Sequence, residues 1–440
     1  MRKSNNDSGL TARRSYRRLI VGLTALAVSL ALQAQDYLRL GERTIMGTAR
    51  YVGMGGAMSA IGADPTASMD NPAGLGLYRR LEATLSLEYA NGFMAPQASI
   101  VLNLPTGHVD GVLFHNFMFS YNRRHSFNRT LLGTAANSPS LGALLATTEV
   151  DLGIPYATDR YNETNTLQLS ESGYVNEFAF DYALNISDQW YWGIGLRISS
   201  FYLSSSGDYI EYFPQKNAEG INYMNRNRTS VILRGAGCSL ATGLIYRPTQ
   251  WLRLGFGLQT PSVSSLYIST SGTLDARTDS LRWSDAPSLR TRMSDFHMPL
   301  HTSASVAFQI THYALIALQY DYFKQPGEMA HHSLRTGVEV VPYPGVYINA
   351  GYAYESPFKN SYPAVAIDKT LDRQDTYFLY TPRTQFISGA VGYRGRWFLI
   401  QAAYQYRMQR VNLYAHENSA DPYRFNTHTH RVVVTSGWHR

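Results

Sequence analysis

The feature that most constrains this chain is a period-two alternation of apolar and polar residues that recurs along most of its length. In 313–323, Ala314, Ile316, Leu318, Tyr320 and Tyr322 share one face, and Ala317, Gln319 and Asp321 take the other. Phe398, Ile400, Ala402, Tyr404 and Tyr406 oppose Gln401, Ala403, Gln405 and Arg407. Leu252, Leu254, Phe256 and Leu258 oppose Arg253, Gly255, Gly257 and Gln259. Trp192, Ile194, Leu196 and Ile198 oppose Gly193, Gly195, Arg197 and Ser199, while Phe178, Phe180 and Tyr182 oppose Glu177, Ala179 and Asp181. Side chains alternate across a strand, so each run reads as a strand with one apolar face. That face meets either the core of a soluble sandwich or the lipid around a barrel.

Connection lengths separate the two. The pattern predicts strands at 81–91, 96–104, 111–124, 173–185, 189–203, 229–247, 251–268, 299–311, 313–324, 333–342, 345–356, 384–394, 396–410 and 427–438. Tight turns at 185–188, 247–250, 311–312, 343–344 and 394–395 alternate with long links at 125–172, 204–228, 269–298, 357–383 and 411–426. Short turns on one side and long loops on the other mark a transmembrane barrel, and a sandwich has no reason to sort its loops this way. Aromatics gather near strand ends (Tyr89, Tyr121, Trp190, Trp192, Trp251, Tyr343, Tyr354, Trp397 and Trp438), as interfacial girdles require. The expected fold is all-β, an antiparallel transmembrane β-barrel of about 14 strands with an N-terminal plug (hatch) segment.

Composition agrees. Charged residues make up 16% of the 440 and aromatics 13%, with 32 Tyr and 35 Gly. Such a mix suits strands that meet lipid and headgroups. The single cysteine, Cys238, cannot form an internal disulfide and reads as a small strand residue. No Cys/His spacing suits zinc, so no metal or cofactor is expected. The net charge of +7 comes largely from Arg2, Lys3, Arg13, Arg14, Arg17 and Arg18. These precede the apolar run 19–32 and Ala34, a pattern that reads as a secretory signal peptide over 1–34, cut after Ala34. Without it the chain is close to neutral, and nothing points to nucleic acid. The barrel is assigned to 81–440 and the plug to 35–80.

Residues 36–80 break the alternation and are dense in small residues, which pack backbone on backbone. Gly53, Gly55 and Gly56 do not form a phosphate loop, since no Gly-Lys-Ser/Thr follows. The run Gly53-Met54-Gly55-Gly56-Ala57, then Ala63-Asp64, then Asp70-Asn71-Pro72-Ala73-Gly74-Leu75 resembles the N-terminal plug of FadL/TodX-type outer-membrane transporters. Segments 119–128, 334–339, 348–354 and 387–395 resemble strands of the branch found in Bacteroidetes-type bacteria.

The resemblance implies outer-membrane passage of long-chain fatty acids or aromatic hydrocarbons by passive diffusion. Ligand would land on the third and fourth external loops, pass a plug gated by Gly53, Gly55, Gly56, Asn71, Pro72 and Ala73, and leave sideways into the membrane. Here those loops, 204–228 and 269–298, are polar: Asp208, Glu211, Lys216, Arg226 and Arg228, then Asp275, Arg277, Asp279, Asp285 and Arg292. That polarity favours the alternative of a docking or shuttle partner for a secretion system. Implied partners are a hydrophobic small-molecule ligand, outer-membrane lipid and the barrel-assembly machinery.

Lumen-facing polar candidates are Glu177, Asp181, Arg197, Arg253, Asp321, Arg335, Glu339 and Arg407, read mainly as structural charge ladders. Glu177 and Asp181 lie about 13 Å apart along one strand, too far for a catalytic dyad. No Ser-His-Asp set is legible, and His331, His332, His416, His428 and His430 read as loop residues. No enzymatic activity is expected.

Overall fold

A computed structural model describes residues 40–109, 111–143, 160–213, 223–277, 282–285, 290–324, 330–357, 377–416, 419 and 421–440. The expected signal segment, the start of the plug, Lys216 and Asp279 lie outside them. Eighteen strand segments form a single sheet, and several are halves of one interrupted strand, so the wall has fourteen antiparallel strands. They are β1 (Glu82–Ala90), β2 (Phe93–Val109), β3 (Val112–Ser126, continued by Arg129–Ala136), β4 (Thr164–Ile186), β5 (Trp190–Phe213), β6 (Tyr223–Tyr246) and β7 (Leu252–Gln259, continued by Val263–Arg277). Then come β8 (Arg282–Asp285, Arg290–Phe296 and Leu300–Thr311), β9 (Ala314–Lys324), β10 (His331–Tyr343), β11 (Val346–Glu355), β12 (Phe378–Arg394), β13 (Phe398–Tyr414) and β14 (Tyr423–His439). Pairing of β1 with β14, from Glu82↔His439 to Ala90↔Arg431, closes the ring. Closure leaves no free edge, the condition for a sheet to sit in hydrocarbon.

The alternation is inverted relative to a soluble protein. Phe178, Phe180, Trp192, Ile194, Leu196, Leu254, Phe256, Leu318, Tyr320 and Ile400 are exposed. Their neighbours Glu177, Asp181, Arg197, Ser199, Gln319, Asp321 and Gln405 are buried. Polar groups face inward and apolar groups outward, which is stable where lipid surrounds the wall. Trp190, Trp251, Tyr313, Tyr343, Trp397 and Trp438 are exposed near the short turns and ring that end.

The structure corrects the expected strand lengths. Much of 204–228 and 269–298 continues as ladder, with Asp208, Glu211, Arg226, Arg228 and Asp275 on strands rather than in loops. His331, His332, His428 and His430 also lie on strands. Beyond the lipid the outer face needs no apolar residues, and the alternation turns inside out: Leu167, Leu169, Leu203, Tyr209 and Phe213 are buried inward while most of their outward neighbours are polar or small. Pro261 and Pro299 lie where β7 and β8 are interrupted, since proline donates no ladder hydrogen bond. Between β1 and β2 the chain reverses at Asn91 (φ 50°) and Gly92 (φ 81°), a tight turn that only such residues adopt readily.

Candidate functional site

The described part of residues 40–80 is almost wholly buried and packs against inward faces of the wall. Two short helices and a 3-10 turn shape it: α1 (Ala49–Gly53), α2 (Ala67–Asp70) and Pro72–Leu77. Thr48 caps α1, accepting from the Tyr51 amide at 3.2 Å and donating to Asp64 at 2.6 Å. Burial pushes the Asp64 carboxyl up, while the Thr48 hydroxyl, Arg50 and the amides of Ala67 and Thr66 oppose the shift.

Glycines decide how closely this segment approaches the wall. A Cβ on Gly53 would lie closer than 3.0 Å to Ala390 of β12, and one on Gly351 of β11 would meet Met54 and Gly55 equally closely. Gly55 (φ +61°) and Gly56 (φ +77°) take left-handed turns there. On the opposite side Asn71 donates to the carbonyls of Ser59 (2.9 Å) and Leu244 (3.3 Å) and accepts from the Ala73 amide (3.1 Å). Pro72 begins the 3-10 turn, where its missing N–H has no cost. Beneath them lie Gly193 of β5 and Gly243 of β6, where a Cβ would strike Pro72, Ala73 and Asn71 within 3.0 Å.

Charges form separate clusters. Asp70 accepts from Tyr51 Oη at 2.6 Å and Arg335 Nη1 at 3.2 Å. Arg335 also pairs with Asp321 at 3.1 Å, and His301 Nε2 lies 2.9 Å from that carboxylate. Arg197 sits between Asp181, its hydrogen-bond partner, and Glu177 at 3.6 Å, and donates to the Ser68 carbonyl at 3.0 Å. Arg50 bridges Glu339 at 2.6 and 2.8 Å, and Arg253 donates to the Ile61 carbonyl at 2.9 Å. Arg407 stands apart, its guanidinium 5.8 Å from the centre of the Phe386 ring. The structure therefore joins Glu177, Asp181 and Arg197 in one cluster and Asp321 with Arg335 in another, and it separates Arg253, Glu339 and Arg407. Arg43, which bonds His301 at 2.7 Å and lies 3.8 Å from Asp70, carries much of the network with Tyr51, Asp70 and His301, and none of the four was read from sequence as a charge partner. Three of them lie in the segment without periodicity, where no face can be assigned.

Beside the β1–β2 hairpin the described wall is incomplete. The β1–β2 hairpin ends at Asn91–Gly92, whereas β3 and β14 continue past it. Among the described residues, Arg129–Ala136 of β3 pairs with β4 and Tyr423–His430 of β14 pairs with β13, with no ladder joining β3 to β14. Only side chains cross: the Tyr423 ring covers Gly133, and its hydroxyl reaches Asn165. A cavity of about 550 Å³ opens there, lined by Phe93, Phe127 and Leu131 together with Arg129, Arg431 and Glu42. It reaches the inner segment, whose Ile45 carbonyl accepts from Arg431 at 2.9 Å.

Comparison with solved structures identifies the architecture. The chain resembles a Pseudomonas aeruginosa FadL homologue with a TM-score of 0.53 and 13% identity, covering 90% of this chain and 98% of that one. It resembles the CymD monoaromatic hydrocarbon channel with a TM-score of 0.52 and 13% identity, over 91% and 98% of the two chains. The Pseudomonas putida toluene transporter TodX gives 0.50 and 14%, over 90% and 98%. No family model matches the sequence, and no curated protein matches it. At these identities the likeness is one of fold: the chain has the barrel of the FadL/TodX-type transporters.

Proposed function

We propose that this chain, built on the fold of the FadL/TodX-type transporters, passes small hydrophobic molecules across an outer membrane by diffusion past residues 40–80. The class is long-chain fatty acids or aromatic hydrocarbons. One observation carries the reading: a gap in the hydrogen-bonded wall lies beside the inner segment, and a cavity joins them. A continuous barrier has no need of such an opening beside the inner segment. Each CH₂ moved from water into apolar surroundings gains about 0.8 kcal/mol, so a route from lumen to lipid runs downhill for an oily solute. In this reading the residues around Gly55 and Asn71 are the gate, and the gap beside Tyr423 is the way out.

The test is uptake into liposomes carrying the purified chain. Labelled oleate or toluene should enter faster than into empty liposomes, and removal of residues 36–80 should change the rate. Equal uptake by loaded and empty liposomes would sink the reading. A docking role for a secretion system is the second reading, favoured by the polar, ion-paired strand extensions at Asp208–Arg226 and Arg228–Asp275. It predicts a stoichiometric protein partner in native membrane extracts.

A further inference from the structure

The outer surface of β12–β14 presents three arginines that hold no carboxylate among the described residues, with the exposed Asp421 three residues before Arg424. Arg383 of β12 and Arg410 of β13 are directly opposite one another in the ladder. Arg410 is opposite Asn426 of β14, two residues from Arg424 on the same face. All three arginines are exposed, and none has a carboxylate partner among the described residues. His428 and His430 continue that face of β14 toward Val432 and Val434, which are exposed and apolar. The histidines bond Tyr406 and Tyr404, at 2.8 and 2.6 Å.

On β5–β7 the outward Arg226 and Arg228 meet carboxylates, whereas Arg234 of β6 lies over the Tyr202 ring. Across β5 and β6, Asp208 holds Arg226 at 2.5 and 2.8 Å, and Arg228 of β6 pairs with Asp275 of β7 at 2.7 Å. Like charges directly opposite on a sheet repel. An arrangement that places cation against cation is therefore stable when an anion lies between them. Position selects the anion. Arg410 lies four residues beyond Tyr406, or about 10 Å along the membrane normal for a strand tilted by about 40°. The headgroup layer adds roughly 5–8 Å to each side of the hydrocarbon, and arginine side chains reach back toward it. Guanidinium pairs match phosphate oxygens in fork geometry.

We infer that Arg383, Arg410 and Arg424 form a binding site for the phosphorylated headgroup of a membrane lipid in the loop-side leaflet. This rests on the barrel's being embedded in a membrane, but not on what it carries. The bound phosphate bridges β12, β13 and β14 on the wall beside the gap.

The experiment uses the full chain reconstituted in phosphatidylcholine vesicles with or without phosphatidic acid. Phosphatidic acid retained after washing is measured by mass spectrometry. The wild-type chain should retain it, and the R383Q/R410Q/R424Q variant should bind it about a hundredfold more weakly. The triple lysine variant should recover most of the loss, and R234Q, at an outward arginine on β6, should change nothing. Phosphatidylcholine retention should be the same in all chains. Heat-modifiable mobility on gels reports whether each variant folds. Equal retention by wild type and the folded triple glutamine variant would overturn the site, as would an equal loss in R234Q. Failure of every chain to enter vesicles would instead overturn the membrane reading.

Discussion

Residues 40–80 are held on two sides of the lumen by different physics. Toward β5 and β6, Asn71, Pro72 and Ala73 lie backbone-on-backbone over Gly193 and Gly243, with no ion pair at the contact. Toward β9 and β10, Asp70 and Tyr51 are fixed by Arg335, which Asp321 holds in turn, and Asp321 is itself bonded to His301. Close packing is short-ranged, so it is lost once the two backbones separate by an ångström. A charge network keeps attracting over several ångströms and can re-form with other partners. A segment fastened this way can part from one wall while tethered to the other. In the proposed gating the β5–β6 side, held there by packing and by the Arg197 bond to the Ser68 carbonyl, is the one expected to open.

The contrast can be broken most strongly at the charges. R335M removes the cation shared by buried Asp70 and Asp321, with Arg43 left at 3.8 Å from Asp70, at a cost of about 3–5 kcal/mol. Urea unfolding in vesicles, followed by heat-modifiable mobility, should show it. A loss under 1 kcal/mol would mean the network is slack. Next comes G193V, which forces a side chain against Pro72 and Ala73 and should cost about 1–3 kcal/mol. It should also expose Asn71–Ala73 to proteolysis while residues 45–58 stay protected. Protection of both regions would remove the distinction between the two sides.

N71A strips two carbonyls and one amide of their partner and should cost about 1–3 kcal/mol, mostly as orphaned polar groups. Single-channel recording should show longer or more frequent openings, and unchanged conductance would count against a gate at this side. The smallest effect belongs to D208N at the strand extension, where a half-exposed ion pair is worth roughly 0–1 kcal/mol. The unfolding midpoint should barely move. A larger shift would show that the extensions stabilise the barrel more than their exposure suggests.

How much of this could be read from residues alone varies by region. Between Trp192 and Ser199 lipid on one side and lumen on the other force opposite requirements on successive residues, so face and strand are legible together. At Asp208 the outward face turns polar while Leu203, Tyr209 and Phe213 turn inward, the reverse of the lipid-level pattern, and at His428 the apolar face is lost, so these strands read as loops. The segment around Asn71 was legible as unusual, through its small residues, but not as a set of contacts. Gly193 and Gly243 look like ordinary small members of a strand until Pro72 and Asn71 are brought against them.

The order of residues by itself determined that the wall is an antiparallel barrel with its oily side outward, because an apolar demand repeats every second position and short turns alternate with long connections. It determined the turn-rich and loop-rich ends as well, since hairpin length is local. Folding in three dimensions decided which cation meets which carboxylate, where the short β1–β2 hairpin leaves the wall unpaired, and that Arg383 lies opposite Arg410. Those pairings join residues tens to hundreds of positions apart. Their cause is the register and closure of the sheet, which no local pattern encodes.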